Sequence, residues 1–235
     1  MPKKENVRQM FDNIAPDYDR LNHIMSLGVD RCWRRRALRR IVDTEGPLEV
    51  LDLACGTGDF SIAIARRMVR RSISGHISGV DLSAGMLAVM DQKIAAEGLT
   101  ERVSTAQGDG EKLPFPDATF DRVTIAFGIR NFENRETGLR EMRRVLRPGG
   151  RLVILELSVP GNAVIRWFYK LYFLHILPWI GGLVSGDRAA YNYLPASVLK
   201  FPGRQAFTAE ILSAGFSSVS HRAFSLGICR LYVGE

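Results

Sequence analysis

Three short stretches set glycines and carboxylates side by side, each just after an apolar run. In VLDLACGTGDF, residues 50–60, Gly56 and Gly58 allow a tight turn and a close approach of backbone to a ligand. A helix opening after them would offer unpaired N–H groups. A pyrophosphate-binding turn would carry a third glycine three residues after Gly58, where Ser61 stands. Asp52 before the turn and Asp59 after it would repel a pyrophosphate and suit a cationic ligand. In GVDLS, residues 79–83, Asp81 stands 23 positions after Gly58 and is followed by Leu82. An acid at the tip of a second strand can accept both hydroxyls of a ribose. In QGDGEKLPFPDATFD, residues 107–121, Asp109 and the Gly110 backbone sit where an adenine edge would be read, with Leu113 and Phe115 available as apolar walls. Taken singly, the first stretch could be only a tight turn and the third an ordinary Asp-Gly turn. Taken in order, at three successive strand ends, they describe one ligand site at the carboxyl edge of a sheet.

The elements that must position these residues alternate. LEVLDLAC is a short apolar run, and the amphipathic FSIAIARRMVRR follows its glycine turn. SGHISGVDL then precedes the helix-like SAGMLAVMDQKIAAEG, ERVSTAQGD precedes a loop, and FDRVTIAFG precedes RETGLREMRRVL and RLVILELS. Buried strands alternating with amphipathic helices predict a mostly parallel sheet covered on both faces. The PGG turn is expected to end the helix before RLVILELS, because Pro148 cannot continue it. Upstream, residues 7–45 read as helical from the spacing of Phe11, Ile14, Leu21, Ile24, Met25 and Leu27, with Asp30 as a cap for a helix carrying RRRALRR. The plain reading of that arginine run is a solvated helix face. Downstream, FTAEILSAGF reads as a helix, and SSVSHRAFS-LG-ICRLYVG as a closing hairpin turned at Leu226-Gly227.

Residues 161–204 break the alternation. NAVIRWFYKLYFLHILPWIGGLV is apolar on all sides, and GDRAAYNYLPASVLKFPGR reads as loop. The longest uncharged piece, 171–186, is 16 residues and contains Pro178, Gly181 and Gly182, too short for a span that needs about 20. It reads as a buried helix, a lid over an apolar pocket, or an interfacial segment. The chain as a whole has 235 residues, 46% hydrophobic and 24% charged, with a mean hydropathy of -0.03, which excludes disordered and collagen-like chains. The net charge of +7 is uneven: residues 151–235 carry eight basic and four acidic side chains, and no acid lies between Glu156 and Asp187. Cys32, Cys55 and Cys229, together with four scattered histidines, form neither a disulfide framework nor a metal-ligand pattern. With no secretory signal in view, the expected location is cytoplasmic.

The order of the three motifs resembles that of the class I S-adenosylmethionine-dependent methyltransferases. Four further stretches are similar to the quinone-biosynthesis C-methyltransferases: YDRLNHIMSLGVDRCW (18–33), FGIRNFEN (127–134), RVLRPGGRLVILELS (144–158) and YNYLPASVLKFP (191–202). The resemblance runs from about Val7 to Val233, with Asp30 and Leu21 standing where relatives often have histidine and methionine. It implies an α/β, Rossmann-like fold with a mostly parallel seven-stranded sheet, a C-terminal β-hairpin and a helical lid insertion. Residues 1–235 would be one methyltransferase domain: helical cap 1–45, cofactor core 46–158, lid 159–204, closing helix and hairpin 205–235.

It also implies S-adenosyl-L-methionine as cofactor, held by Asp52, Gly56, Thr57, Gly58, Asp81, Leu82, Asp109, Gly110 and Ala126. Thr57 would face the methionine part, Asp81 the ribose, and Asp109 and Gly110 the adenine. The reaction implied is C-methylation of a polyprenyl quinol, demethylmenaquinol first and 2-polyprenyl-6-methoxybenzoquinol as the alternative. Arg130 and Asn131, directly after the fourth strand's tip, would take the polar role, Arg130 stabilising the quinol or helping to deprotonate it through hydrogen bonds, and Asp19 would orient a water or the quinol hydroxyl. For Arg130 an ion pair with Glu133 or another loop acid is the competing reading, and Tyr18 could close over the cofactor or simply pack in the core. Trp167, Phe168, Tyr172, Phe173 and Trp179 would line a tail channel, while Arg166, Lys170, Arg188 and Lys200 rest on an anionic inner-membrane face. A homodimer is compatible with this reading. A nicotinamide-dependent oxidoreductase would need the missing third glycine. No nucleic-acid partner is expected, because the basic runs alternate with acids, as in RETGLREMRRVLRP.

Overall fold

The computed structural model describes residues 4–26, 28–172 and 188–235. Four helical pieces open the chain: α1 (Lys4–Ile14), a 3-10 turn (Ala15–Asp17), α2 (Tyr18–Met25) and α3 (Val29–Ile41). The alternating part follows as β1 (Val50–Leu53), α4 (Asp59–Arg70), β2 (Ile77–Asp81), α5 (Ala84–Ala96), β3 (Val103–Gln107), β4 (Phe120–Ala126), α6 (Arg135–Val145) and β5 (Leu146–Leu157). Then come α7 (Ala163–Leu171), α8 (Arg188–Lys200), α9 (Arg204–Ser213), β6 (Val219–Phe224) and β7 (Cys229–Gly234).

The seven strands form one sheet in the order β3-β2-β1-β4-β5-β7-β6. The first five are parallel, and β7 runs antiparallel to both β5 and β6. Side chains alternate across it with the period of two that a strand imposes. Val50, Val153 and Leu155 join Ile41 of α3 and Ile64 of α4 on one face. Leu51, Leu152 and Ile154 join Leu139 of α6 and Phe207 of α9 on the other. Burial on both faces is why β1 and β5 read as continuous apolar runs. The order reverses between β2-β1 and β4-β5, so the carboxyl ends of β1 and β4 part to leave a crevice.

Three local expectations need correction. Asp30 does not cap α3: Gly28 precedes the helix in a left-handed conformation, and Asp30 is buried in its first turn, accepting from Ser26 at 2.6 Å and Arg34 at 2.7 Å. α6 ends at Val145, three residues ahead of Pro148, and the PGG segment is an irregularity where the β4–β5 register shifts. Residues 188–200, expected as loop, are helical with Pro195 inside. A proline there removes a helix hydrogen bond, and tertiary contact overrides that cost: Val198 is buried, and Tyr193 and Ser197 bond to the segment after β4. The expected Phe173 and Trp179 channel positions lie outside the described residues, as does most of 171–186.

Candidate active site

β1 must turn sharply into α4. Gly58 makes this turn at φ 83°, and a Cβ there would lie 2.4 Å from Met90 Cγ, so both the conformation and the space demand glycine. The loop is pinned from the next strand. The Asp81 carboxylate accepts from the amides of Gly56 at 2.8 Å and Ser83 at 2.9 Å, which couples the first two sequence motifs directly. Burial raises the Asp81 pKa, opposed by those amides. Asp52 is buried inside β1 and accepts the hydroxyls of Ser61 at 2.5 Å and Thr124 at 2.8 Å. Burial pushes it up to about 6 against the pull of the two hydroxyls.

Two cavities open at the crevice. The smaller, about 70 Å³, is lined by Asp81, Leu82, Asp109, Gly110 and Asn131, with Phe11 from α1 and Phe132 as apolar walls. Gly110 lies flush on Phe132, whose Cζ would be 2.6 Å from any Cβ. The walls expected of Leu113 and Phe115 are not there. Leu113 is buried in the core beneath, and Phe115 packs edge-on against Phe120 at 5.0 Å, because the proline-locked loop folds back over α6 rather than over the site. Phe132, two residues beyond Arg130, takes that place; a lone aromatic in a loop offers no signal for it.

The larger cavity, about 380 Å³, is mostly apolar and is bounded by Trp33, Phe127, Tyr169, Tyr172 and Leu194, with Asp52, Gly56, Thr57 and Arg130 among its polar groups. Tyr18, Ala54, Gly56, Ala126 and Phe127 line both cavities, so the two meet there. Ala54 (φ 48°) and Phe127 (φ 61°), just past β1 and β4, both hold the left-handed conformation that side chains disfavour. Trp33 donates to Ser225 at 2.9 Å, which fixes its indole at the rim. Of the aromatics expected to line a channel, Tyr172 does so. Trp167 and Phe168 pack edge-on with ring centroids 4.9 Å apart and stand 61% and 60% exposed, while their neighbour Tyr169 turns inward.

Arg130 projects from a 3-10 turn (Ile129–Asn131) into the larger cavity. Its Nη1 donates to Glu156 at 2.9 Å and to the Phe127 carbonyl, and its Nε to Ser197 at 3.3 Å. The competing ion pair therefore exists, with Glu156 of β5 in place of Glu133. Among the described residues nothing accepts from Nη2. Burial would lower the Arg130 pKa; Glu156, then the phenols of Tyr18 and Tyr193, reverse this and hold it above its ordinary value. Glu156 is fully buried and accepts the amides of Leu157 at 2.8 Å and Arg130 at 3.3 Å. An acid inside the apolar run LVILELS was the sequence signal for it, since buried charges need partners. Asn131 accepts from Tyr193 at 2.9 Å.

The N-terminal helices cover the crevice. Lys4 of α1 pairs with Asp109 at 2.8 Å and Glu111 at 2.9 Å, and Asp12 accepts from Ser83 at 2.6 Å and the Gly85 amide at 3.1 Å. Asp19 of α2 accepts from Thr57 at 2.5 Å and from Lys93 at 2.8 Å. Asp19 is thus spent on the glycine loop and does not line the larger cavity, and the Thr57 hydroxyl is spent on Asp19. Tyr18 lines both cavities; burial raises its phenol, and Arg130 counteracts.

These features fit S-adenosylmethionine. Asp81 retains acceptor capacity towards the smaller cavity for a ribose, and the carboxylates Asp52 and Asp59 border the glycine loop, where the nearby cations Arg34 and Lys93 are paired with Asp59. The cavities join where a sulfonium would bridge nucleoside and acceptor. The whole chain, residues 1–235, matches the model of the "ubiE/COQ5 methyltransferase family". The chain belongs to the ubiE/COQ5 methyltransferase family.

It is 49% identical over 233 residues to "Ubiquinone/menaquinone biosynthesis C-methyltransferase UbiE" of Geobacter sulfurreducens, covering 99% of this chain and 89% of that one. It is 44% identical over 230 residues to "Demethylmenaquinone methyltransferase" of Bacteroides fragilis, covering 98% and 92%. Among solved structures, a putative S-adenosyl-L-methionine-dependent methyltransferase from Methanococcus maripaludis superposes with a TM-score of 0.66 at 18% identity, over 100% of this chain and 95% of that one. The [4+2]-cyclase SpnF superposes about as well, with a TM-score of 0.65 at 16% identity over 100% and 97%. The fold is therefore shared beyond methyl transfer, and chemistry has to be argued from the site. As a member of the ubiE/COQ5 family the chain is an S-adenosylmethionine-dependent methyltransferase.

Proposed function

We propose that the chain methylates a ring carbon of a polyprenyl quinol, with demethylmenaquinol as the substrate and 2-polyprenyl-6-methoxybenzoquinol as the second reading. The observation that carries this is the larger cavity. It is an aromatic chamber next to the glycine loop with two arginines on its wall: Arg34 pairs with Asp30 and Asp59, while Nη2 of Arg130 is left without a protein acceptor among the described residues.

When bound, S-adenosylmethionine supplies a methyl carbon on sulfonium, already a good leaving group, so the protein needs no nucleophile of its own. What this chain adds is alignment, dryness and charge. Trp33 and Phe127, with ring centroids 6.2 Å apart, form a wedge for a flat ring, and Tyr169 and Leu194 shut water out. Alignment of this kind can supply about 7–11 kcal/mol of a barrier. Arg130 remains protonated, and its Nη2 donates to a quinol oxygen as negative charge develops there. Methyl transfer would leave a thioether behind; the ring carbon would give up its hydrogen as a proton and the quinol oxygen would take back the one it had lost, so one proton leaves overall. Glu156 sets the plane of the guanidinium. Asp81, Asp109 and Gly110 hold the nucleoside end, and Gly56, Gly58 and Ala126 admit the methionine end. Thr57, Asp52 and Asp19 act by shaping the glycine loop.

The tail would leave past Tyr169 and Tyr172 along α7, whose Val164, Trp167, Phe168 and Leu171 are exposed, with Arg166 and Lys170 on the same helix at an anionic, cytoplasmic-side membrane surface. No helix among the described residues is long and apolar enough to cross a membrane. The test is methyl transfer from labelled S-adenosylmethionine to both quinols. Faster methylation of demethylmenaquinol is expected; transfer to neither sinks the proposal. Arg130→Ala should lower kcat by about 10²–10³ while calorimetry shows cofactor binding intact. A wild-type rate in that variant would remove Arg130 from the mechanism.

A further inference from the structure

A second groove lies outside the site, between α3 and α4, with a volume of about 480 Å³. Arg31, Arg34, Arg35, Arg66, Arg70 and Lys93 line it, against only Asp59 and Glu97. Both acids are occupied. Asp59 takes Arg34 at 3.2 Å and Lys93 at 2.6 Å, and Glu97 takes Arg66 at 2.6 and 2.7 Å in a two-pronged pair. Among the described residues no carboxylate pairs with Arg31, Arg35 or Arg70.

Folding alone gives no reason for this crowding. Arg31 and Arg35 on α3, and Arg66 and Arg70 on α4, repeat at i,i+4, where like charges destabilise a helix. The strain extends to Arg67, whose pKa is lowered by burial and then by Arg71, Arg39 and Arg70. The groove floor is apolar, from Leu38, Ile62 and Ala63. Arg34 and Asp59 belong both to the groove and to the larger cavity, and Val29 at the head of α3 is 39% exposed beside them. α3 and the apolar helix α7 therefore border the same cavity, one offering cations and the other hydrocarbon-compatible surface.

We propose that the α3–α4 groove seats the phosphate of an anionic phospholipid and so sets the cavity on the bilayer; this rests on the membrane part of the proposed function. Arginine forks suit phosphate oxygens, and the apolar floor suits the glycerol and first methylenes behind them. The groove places the principal lipid contact on the N-terminal half, away from Lys170 and Lys200.

The test is cosedimentation of the full chain with phosphatidylglycerol and phosphatidylcholine vesicles at low ionic strength. The Arg31→Gln/Arg35→Gln/Arg70→Gln triple variant should partition onto phosphatidylglycerol about a hundredfold less than wild type, about fivefold for each cation removed. The corresponding lysine triple keeps the charge and loses the forks, so its partitioning should fall between the two, and a lysine triple that partitions like wild type overturns a phosphate seat in the groove. Methyl transfer to a tail-less quinol in solution should not change. If the glutamine triple loses that solution activity, the three single variants carry the test, each expected to fall about fivefold. Wild-type partitioning by the glutamine variants, alongside loss in Trp167→Ala/Phe168→Ala, overturns the groove and leaves the membrane reading standing. Wild type failing to bind phosphatidylglycerol overturns both. Release from vesicles by equimolar inorganic phosphate, or by a duplex oligonucleotide, overturns lipid as the occupant.

Discussion

At the scale of single residues, the Arg130–Glu156 pair ties the stability of the fold to the role proposed for Arg130. Removing one member of a buried ion pair leaves the other charge uncompensated, at a cost of about 3–5 kcal/mol. Glu156→Gln keeps the shape but not the charge. It is expected to lower the denaturant midpoint markedly and to reduce kcat for the quinol at least tenfold while the KM for cofactor stays put. A kcat that stays at the wild-type level would show that Glu156 holds only the fold. Asp52 makes a prediction of opposite character. Its pKa is about 6 in the folded chain and near 3.8 when unfolded, so the folded state holds the extra proton between those values. Stability contributed by that proton is present at low pH and is lost as pH rises through about 6. Thermal stability of wild type should therefore decline from pH 5 to 7 more steeply than that of Asp52→Asn. Parallel curves would mean that the Ser61 and Thr124 hydroxyls hold the carboxylate ionised throughout.

At the scale of elements, α1 is tied down by side chains rather than by packing alone. Val7 is its one buried residue, while Lys4, Asp12 and Arg8 make its polar contacts. Asp12 matters most, because it meets the start of α5, where free N–H groups and the helix dipole favour a carboxylate. Since α1 supplies Phe11 and Val7 to the smaller cavity, Asp12→Ala should weaken S-adenosylmethionine by about tenfold, the equivalent of about 1.4 kcal/mol, with little change in the KM for quinol. Calorimetry with the cofactor decides it: an unchanged Kd would make α1 a bystander. α8 shows the converse case. Its Pro195 argued against a helix, and it forms one because Val198, Ser197 and Tyr193 find partners against the Arg130 turn. Local sequence could not report those partners.

At the scale of the whole molecule, the +7 net charge is distributed as surface. α3 alone holds six arginines and one acid, more cationic charge than the aromatic stretch after Pro160. Attraction to an anionic bilayer falls off within a Debye length, about 8 Å at physiological salt. Vesicle binding by wild type should therefore weaken steadily as salt is raised, whereas methylation of a tail-less quinol should be insensitive to it. Salt-insensitive vesicle binding would instead assign the attachment to the exposed apolar residues of α7.

The sheet, its helices and the three strand ends that border the crevice were readable directly in the chain, because each depends on short-range pattern: apolar runs, glycines in a turn, an acid after a strand. Asp81, Asp109, Gly56 and Gly58 could be named on that basis; the structure brings the first three to one crevice, and Gly58 makes the turn beneath it against Met90. What tertiary structure alone decided is which groups those residues meet. Phe132 in place of Leu113 and Phe115, Glu156 opposite Arg130, Asp19 spent on Thr57, and the arginines of α3 facing those of α4 are all contacts between segments 18 or more residues apart. Periodicity says which face of an element is buried. Which side chain of another element arrives at that face is set by how the layers pack, and no local pattern records it.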